Sequence, residues 1–288
     1  MITEQEIRSL ILLMSDNDPV VTEAVSQKIL SLDDDEIRLM KTTIISDFGE
    51  FEQDYLNDAL MEAEETRAEE EVLNYLSGVD PSLSKGAYLV TRLADQSADN
   101  IFFERTLRML SDEISSEISD KMTEVEKVEI FNHILFKRMG FRYSVTGIKP
   151  EKENTLLNMV LELRQANYIS IAIIYFMIAR EVGLPVYPLW AQKGFFPVYL
   201  GPDNKMLFYL NMAYNFEILP REAIRDFIDE MESTYGEDAL VVEKDLLLLS
   251  IYTQVLSDLY SREGEHKKVL RLDRVLEAMG GRKSFGEY

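Results

Sequence analysis

Only a few side chains of this sequence could act as nucleophiles or as acid–base groups. The chain contains no cysteine, which excludes a thiolate nucleophile, a disulfide and a thiolate metal site. Ser170 is the remaining candidate nucleophile, but a serine hydroxyl needs an adjacent base. Of the two histidines, His133 lies among apolar neighbours that predict packing, and His266 lies in a charged turn. We therefore expect Ser170 to be a small polar residue packed at a helix N-terminus, where it could serve as a cap.

Lysine and the acidic residues offer no stronger site. Lys193 could replace a base or act as an amine nucleophile, but a solvated turn lysine is the simpler interpretation. The stretches 16–18 and 33–36 are rich in carboxylates, yet they lack the central glycine and terminal glutamate of an EF-hand loop. The sequence has no glycine-rich phosphate loop and no HExxH or paired-histidine spacing. We therefore expect no metal ion and no cofactor.

Helical periodicity dominates the elements that would position these residues. Residues 1–76 are predicted to form short helices joined by Asp-rich turns, an arrangement similar to HEAT-type helical pairs. The last of these helices, over about residues 50–76, is strongly acidic. It is predicted to be a solvated helix with one packed stripe, or else a surface for a basic partner. A turn at residues 78–81 predicts a domain boundary.

The remainder of the chain mixes helices with a short run of strands. Helices are predicted over about residues 82–95, 99–117, 123–139, 154–164, 168–182, 220–234, 241–261 and 265–279, and strands over 186–190, 195–200 and 206–211. The sequence therefore predicts a predominantly helical α+β fold with a small antiparallel sheet. Its predicted domains are a helical region at 1–76, a core at 77–235 and a C-terminal helical pair at 236–288.

Two stretches resemble a known family, the second of which runs without a gap from residue 154 to residue 185. Residues 130–141 are similar to the "LN-x-x-LF-x-x-x-GF" helix of the bacterial SirB-type transglutaminase-like family. Residues 154–164 and 169–185 resemble its "N-S-x-L-N-x-V-L-x-x-R-x-G-x-P-I-S-L-A" run and the Gly-Leu-Pro stop that follows. The resemblance covers about residues 77–230 and implies a transglutaminase-like core. The last helices look like the tetratricopeptide-type tail often attached to that family.

The resemblance also implies where a catalytic triad would lie. In the wider transglutaminase and papain-like fold, a cysteine opens the buried helix, and a histidine and an aspartate follow on two strands. Here the nucleophile position falls at about Tyr168, and Ser170 matches a serine that the SirB-type family itself carries. Gly194 or Phe195 occupies the histidine position, and Asn211 occupies the aspartate position. The resemblance therefore implies a degenerate member that lacks the whole triad.

Aromatic residues surround the place where the site would have been. They could be ordinary core packing, they could fill the old active site, or they could form a binding groove for a peptide or other ligand. Trp190 is the single tryptophan of the chain and therefore a convenient probe. The candidate cleft comprises Tyr168, Ser170, Trp190, Lys193, Phe195, Phe196, Tyr199 and Asn211.

The charge balance restricts the partners. The chain has 30 basic and 52 acidic residues, a net charge of −22. Nucleic acid is disfavoured because phosphate contacts need clustered lysine and arginine. The longest apolar stretch, residues 169–179, is too short for a bilayer, and the N-terminus lacks a signal-peptide pattern. We expect a cytoplasmic, non-catalytic protein- or peptide-binding scaffold. The alternative is a hydrolase or acyltransferase with replaced chemistry centred on Ser170.

Overall fold

The computed structural model describes residues 2–16, 18–48, 50–78, 81–144, 149–190, 194–202, 204–220, 241–242 and 245–282, together with residues 222, 225 and 229. The chain divides into two compact units, Met1–Glu71 and Val72–Tyr288. Helices make up most of the described residues, and a small antiparallel sheet accompanies them, which confirms the predicted α+β class. No helix within these described ranges is long and apolar enough to cross a lipid bilayer.

The first unit consists of helices that begin at well-defined caps. It contains α1 (Glu4–Met14), α2 (Pro19–Leu30), α3 (Asp34–Asp47) and α4 (Glu50–Leu76) as far as Glu71. Helices α1 and α3 each start with a capping box, in which the N-cap and the third helical residue bind each other's backbone N–H. Asp18 caps α2, and Pro19 takes its first helical position. The Asp-rich turns therefore serve as caps.

The apolar faces of this unit differ in part from the prediction. Ile7 and Ile11 of α1 are fully buried, as the helical spacing predicts. Val20 is 77% exposed and Ile45 is 66% exposed, although both were expected on apolar faces. The prediction that α4 is solvated outside one packed stripe is also too simple, since its acidic residue Glu69 is buried. Each helix buries only a narrow stripe, and composition alone does not identify that stripe.

The second unit surrounds one buried helix with other helices and a sheet. Its helices are α5 (Leu83–Ala94), α6 (Asn100–Glu117), α7 (Glu124–Asn132), α8 (Lys152–Thr155), α9 (Leu157–Leu163), α10 (Tyr168–Glu181), α11 (Asp245–Glu263) and α12 (His266–Ala278). A π-helical segment, His133–Arg138, continues α7, and a 3-10 turn, Met212–Tyr214, follows the third strand of the sheet. Gly140, at a φ of 75°, ends the π-helical segment as the sequence predicts.

The strands form two sheets. They are β1 (Arg142–Tyr143), β2 (Gln165–Ala166), β3 (Val186–Trp190), β4 (Phe195–Leu200), β5 (Met206–Asn211), β6 (Glu217–Pro220) and β7 (Val241–Val242). Strands β1 and β2 form a short parallel pair. The other five form an antiparallel sheet in the order β6-β5-β4-β3-β7. The predicted bounds of β3, β4 and β5 are confirmed, whereas β1, β2, β6 and β7 were not predicted.

Helix α10 is the centre of this unit. Every residue from Ile169 to Ala179 is buried, because the helix contacts α5, α6, α9, α11 and β3 on different sides. A helix that is apolar all round can only be stable when it is covered in this way. The helix predicted near residues 220–234 and the predicted boundary at residues 235 and 236 lie largely outside the described residues. The three-domain division and the tetratricopeptide-like tail therefore stay predictions.

Helix α11 is fixed to the core by a buried tyrosine. The Tyr252 hydroxyl lies 2.9 Å from Thr91 Oγ1 and accepts a 3.2 Å hydrogen bond from the Leu157 N–H. Burial raises the pKa of the Tyr252 hydroxyl, which keeps it protonated. We expect Tyr252→Phe to lower the free energy of unfolding by about 1–3 kcal/mol, because the buried Leu157 N–H loses its acceptor. Urea denaturation followed by Trp190 fluorescence measures this loss.

Tyr260→Phe is the matched control for that substitution. The Tyr260 hydroxyl donates to the Ala94 carbonyl at 2.7 Å, but the Lys268 ammonium also donates to that carbonyl, at 3.3 Å. Since the carbonyl keeps a partner, we expect a loss below about 1 kcal/mol. Equal losses in the two variants would show that the hydrogen bond from the Leu157 N–H to the Tyr252 oxygen does not account for the loss of stability.

Candidate functional site

The N-terminus of α10 is where a nucleophile would be presented in this fold. Ser170 is fully buried there, and its hydroxyl donates to the Thr155 carbonyl at 2.9 Å. The helix cap is Asn167, whose side-chain oxygen accepts the Ser170 backbone N–H at 2.9 Å. The hypothesis that Ser170 acts as the cap is therefore wrong, because the position three residues earlier has the extended backbone that a cap requires.

Ser170 belongs to a buried polar network rather than to a cleft. Asn167 Nδ2 donates to Thr155 Oγ1 at 2.8 Å, and Thr155 Oγ1 in turn donates to Asn154 Oδ1 at 3.0 Å. Asn154 Nδ2 donates to a backbone carbonyl at 3.2 Å. Asn154, Thr155 and Ser170 are three of the residues that carried the family resemblance. Their shared role is to satisfy one another's hydrogen bonds, which buried polar groups require.

The position that the family resemblance assigns to the nucleophile lies at a pair of packed tyrosines. The rings of Tyr168 and Tyr143 lie 4.7 Å apart, and the Tyr143 hydroxyl donates to the Met212 carbonyl. Burial raises the pKa of the Tyr143 hydroxyl, so the group remains a donor. Tyr143 therefore contacts both Tyr168 and Met212. Met212 follows Asn211, the residue that the resemblance places at the aspartate position. Tyr143 was not predicted as a site residue, because it lies between the helices predicted over residues 123–139 and 154–164 and belongs to no predicted element.

The residues that the resemblance places at the histidine and aspartate positions make structural contacts. Phe195 is buried, with its ring 6.0 Å from the ring of Phe176 on α10. Gly194 precedes Phe195, and a Cβ built there would meet no atom within 4 Å in the part of the chain that the structure describes. Asn211 caps the 3-10 turn by accepting the Ala213 N–H at 3.1 Å. None of these contacts would activate a nucleophile.

The predicted cleft residues do not share one surface. Phe195 and Phe196 are consecutive in β4, so their side chains lie on opposite faces of the sheet. Phe196 packs against the cluster formed by Leu189, Val198, Leu200 and Tyr209. Trp190 is half-buried at the end of β3 and pairs with Phe195, so these two side chains lie on the same face of the sheet, opposite to Phe196. The prediction of a single aromatic cleft is therefore wrong in its geometry.

Tyr199, another predicted cleft residue, belongs to the core. Its side chain is buried, its ring stacks on Phe208 at 4.9 Å, and its hydroxyl donates to the Glu124 carboxylate at the start of α7. This contact joins the sheet to α7 and leaves Tyr199 unavailable to a ligand. Lys193 lies outside the described residues, so its expected solvated position stays a prediction.

The two histidines are exposed, whereas Ser170 is fully buried. His133 begins the π-helical segment and lines an open pocket of about 440 Å³ together with Glu126, Glu129 and Arg138. The expectation that His133 is packed among its apolar neighbours is therefore wrong: the histidine is exposed, although Ile130 and Ile134 line the same pocket. His266 begins α12 and is exposed. Within the described ranges, no three histidine or acidic side chains come together as metal ligands.

Three comparisons relate this chain to known proteins. A search of curated proteins finds no match. The crystal structure of menin, described as revealing the binding site for Mixed Lineage Leukemia protein, superposes with a TM-score of 0.43 and 10% identity. That match covers 75% of this chain and 56% of menin, so this chain spans little more than half of it. A family model described as "Transglutaminase-like superfamily" matches residues 102–245, which is half of the chain. The chain thus belongs to the transglutaminase-like superfamily, although without cysteine it cannot hold that fold's cysteine triad.

Proposed function

We propose that this protein is a non-catalytic member of its superfamily, of the SirB type, that acts as a cytoplasmic protein- or peptide-binding scaffold. The motivation is a transglutaminase-like core whose chemistry has been replaced. The nucleophile position holds Tyr168, the histidine position holds Gly194 or Phe195, and the aspartate position holds Asn211. Because all three functional groups of the triad are replaced, the exchange of a single residue would not restore a working site.

The observation that carries the proposal is the hydrogen bond from Ser170 Oγ to the Thr155 carbonyl, at 2.9 Å. A nucleophilic serine must present its oxygen to a substrate and pass its proton to a base. Here the proton is already committed to a backbone carbonyl, and the residue is 0% exposed. A carbonyl oxygen is not a base of useful strength, so this arrangement supports a structural serine.

The Tyr143 contacts extend the same argument to ligand binding. A scaffold could in principle use the old substrate cleft, but Tyr143 lies across its nucleophile end and binds the Met212 carbonyl. We therefore assign partner binding to surfaces outside the remnant cleft. The net charge of −22 favours a partner that carries basic residues.

Assays of acyl transfer and hydrolysis with Ser170→Ala test the absence of catalysis. Activated esters, a peptide amide and a glutamine-containing peptide with an added amine cover the reactions that this fold supports elsewhere. We expect the native chain and Ser170→Ala to show the same rates as a buffer blank. Ser116→Ala is the matched control, since Ser116 is an exposed helical serine bound to the Glu113 carbonyl. Turnover that Ser170→Ala abolishes and Ser116→Ala preserves would overturn the proposal.

A further inference from the structure

An open groove of the second unit lies where the end of α6 meets α7 and the π-helical segment. It has a volume of about 440 Å³, which is within the range of pockets that hold small ligands. Its lining residues come from both helices, from the link between them and from the π-helical segment. The remnant cleft lies instead at the start of α10. The α6–α7 groove is therefore a surface of its own, outside the remnant cleft.

The floor of the α6–α7 groove is apolar. Met122, in the link after α6, and Ile130 of α7 are half-buried, so part of each side chain stays at the surface. Ile134 follows Ile130 by one turn and is buried. A chain of methylene groups gains free energy by covering such a surface, whereas a small hydrated ion does not.

Two carboxylates of α7 accompany this floor, and one of them is fixed in position. Glu126 Oε2 accepts the Thr123 N–H at 2.8 Å and the Thr123 hydroxyl at 2.9 Å. These hydrogen bonds lower the pKa of Glu126, so its carboxylate stays ionised at neutral pH. Glu129 is exposed and lies three residues further along α7, which places the two Cβ atoms about 5–6 Å apart. A single cationic group can therefore reach both carboxylates.

The charge of the groove is negative even though Arg138 lines it. The Arg138 guanidinium binds Glu113 at 2.5 Å and Glu117 at 3.0 Å, so two carboxylates already face this one cation. Glu126 and Glu129 form no ion pair within the described ranges. The groove therefore keeps an excess of negative charge after its own ion pairs have formed.

The floor and the carboxylates together select the occupant. Lysine and arginine side chains combine an apolar stem with a cationic head, which matches both features. Arginine fits a pair of carboxylates better, because its planar guanidinium presents five N–H donors in a fixed fork. A second copy of this chain is disfavoured, because two molecules that each carry a net charge of −22 repel each other.

We propose that the α6–α7 groove binds an arginine side chain presented by a basic segment of a partner protein. The arginine stem lies on Met122 and Ile130, and its guanidinium binds the carboxylates of Glu126 and Glu129. Arg138 competes with it, because the native ion pairs hold a second guanidinium beside the same groove. This inference deepens the proposed function and rests on it, since it names the chemistry of a partner that binds outside the remnant cleft.

Methionine methyl signals in NMR spectra test the site. The chain has 13 methionines, and the Met122 signal is assigned by its loss in Met122→Leu. The probe is acetyl-Ala-Leu-Arg-Leu-Ala-amide, for which we expect a Kd of about 1 mM or below in about 50 mM salt. Since His133 also lines the groove, the titration is run at about pH 8, where an imidazole is ordinarily neutral. We expect the Met122 signal to shift, whereas Met109, exposed on α6, should not respond.

Paired variants separate the groove from the general charge of the chain. We expect Glu129→Gln to raise the Kd about threefold or more, whereas Glu162→Gln, on the exposed side of α9, should leave it unchanged. Arg138→Gln removes the competing cation, so we expect the Kd to fall about twofold or more. Arg105→Gln, an exposed residue of α6, should have no such effect. Circular dichroism shows that each variant is folded.

A peptide with citrulline in place of arginine keeps the shape and loses the charge, and we expect it to bind about tenfold or more weakly. Equal binding of the two peptides, no shift of Met122 at about 10 mM peptide, or equal effects of Glu129→Gln and Glu162→Gln would each overturn the inference. A Met122 signal that shifts with protein concentration alone would assign the groove to a second copy and would also overturn it. None of these results bears on catalysis, because Ser170 is unchanged in every variant, so failure here is distinct from failure of the proposed function.

Discussion

Replacing Asn167 with alanine is expected to lower the free energy of unfolding of the second unit by about 3–5 kcal/mol. The side chain has two roles at the start of α10. Its oxygen accepts the Ser170 N–H at 2.9 Å, and its nitrogen donates to Thr155 Oγ1 at 2.8 Å. The loss of a helix cap costs about 1–2 kcal/mol. The remaining loss arises because the Ser170 N–H and the Thr155 hydroxyl are buried and cannot form replacement hydrogen bonds with water.

The size of this effect matters because a domain is stable by only about 5–15 kcal/mol. A loss of 3–5 kcal/mol should move the urea midpoint by a large part of its value. Trp190 is the single tryptophan of the chain and lies in β3 of the same unit, so its fluorescence follows the correct transition. Circular dichroism of the folded baseline then shows whether the variant keeps its helices before unfolding.

Asp99→Ala is the matched control for the Asn167 substitution. Asp99 caps α6 by accepting the Phe102 N–H at 2.7 Å, but it is exposed, and solvent can replace it. We expect a loss of about 1 kcal/mol there. If Asn167→Ala cost no more than Asp99→Ala, the buried network would contribute nothing beyond an ordinary cap. The assignment of Ser170 to a structural role would then lose its energetic basis.

The central helix and the three main strands could be predicted because local pattern determines them. The apolar run over residues 169–179 specifies a buried helix. Gly183, with a φ of 72°, follows it and marks where the helix ends. Strands β3, β4 and β5 alternate with turn residues. Strands β1 and β2 were missed because each has two residues, and only their mutual pairing defines them. The sequence also predicted one helix over residues 154–164, whereas Leu156 has an extended backbone and separates two helices there.

The site was harder to predict because it depends on contacts between distant residues. The resemblance predicts where the triad would lie, but the contacts that the residues at those positions make could not be predicted. Tyr143 contacts Tyr168 and Met212, which follow it by 25 and 69 positions in the numbering. Nothing in the local sequence at residues 141–144 indicates either partner. The exposure of His133 also depends on which side of the π-helical segment faces the core.

The close packing of α5 against α11 leads to the second large expected effect. A Cβ atom built on Gly86 would lie 2.5 Å from Leu249 Cδ1 and 3.0 Å from its Cδ2. Leu249 is fully buried, so it has no space into which to move. We expect Gly86→Val to lower the free energy of unfolding by about 2–3 kcal/mol. Overpacking of this kind costs about 1–3 kcal/mol, and a larger, branched side chain lies at the upper end.

Gly194→Val is the control for that change of side chain. A Cβ at Gly194 meets no atom of the described residues within 4 Å, and the Gly194 backbone is not in the left-handed region. We expect this variant to be within about 0.5 kcal/mol of the native chain. A large loss at Gly194 as well would point to a general intolerance of valine for glycine and not to the contact between α5 and α11.

A double-mutant cycle with Leu249→Ala then isolates the contact. Leu249→Ala alone should cost about 2–5 kcal/mol, because it leaves a cavity beside Gly86. In the double variant, valine fills part of that cavity, so the combined loss should be smaller than the sum of the two by at least about 1 kcal/mol. Additive losses would mean that the two positions do not compete for the same space. The coupling energy therefore measures whether α11 is tightly packed against α5 at this contact, as the distances from Gly86 to Leu249 indicate.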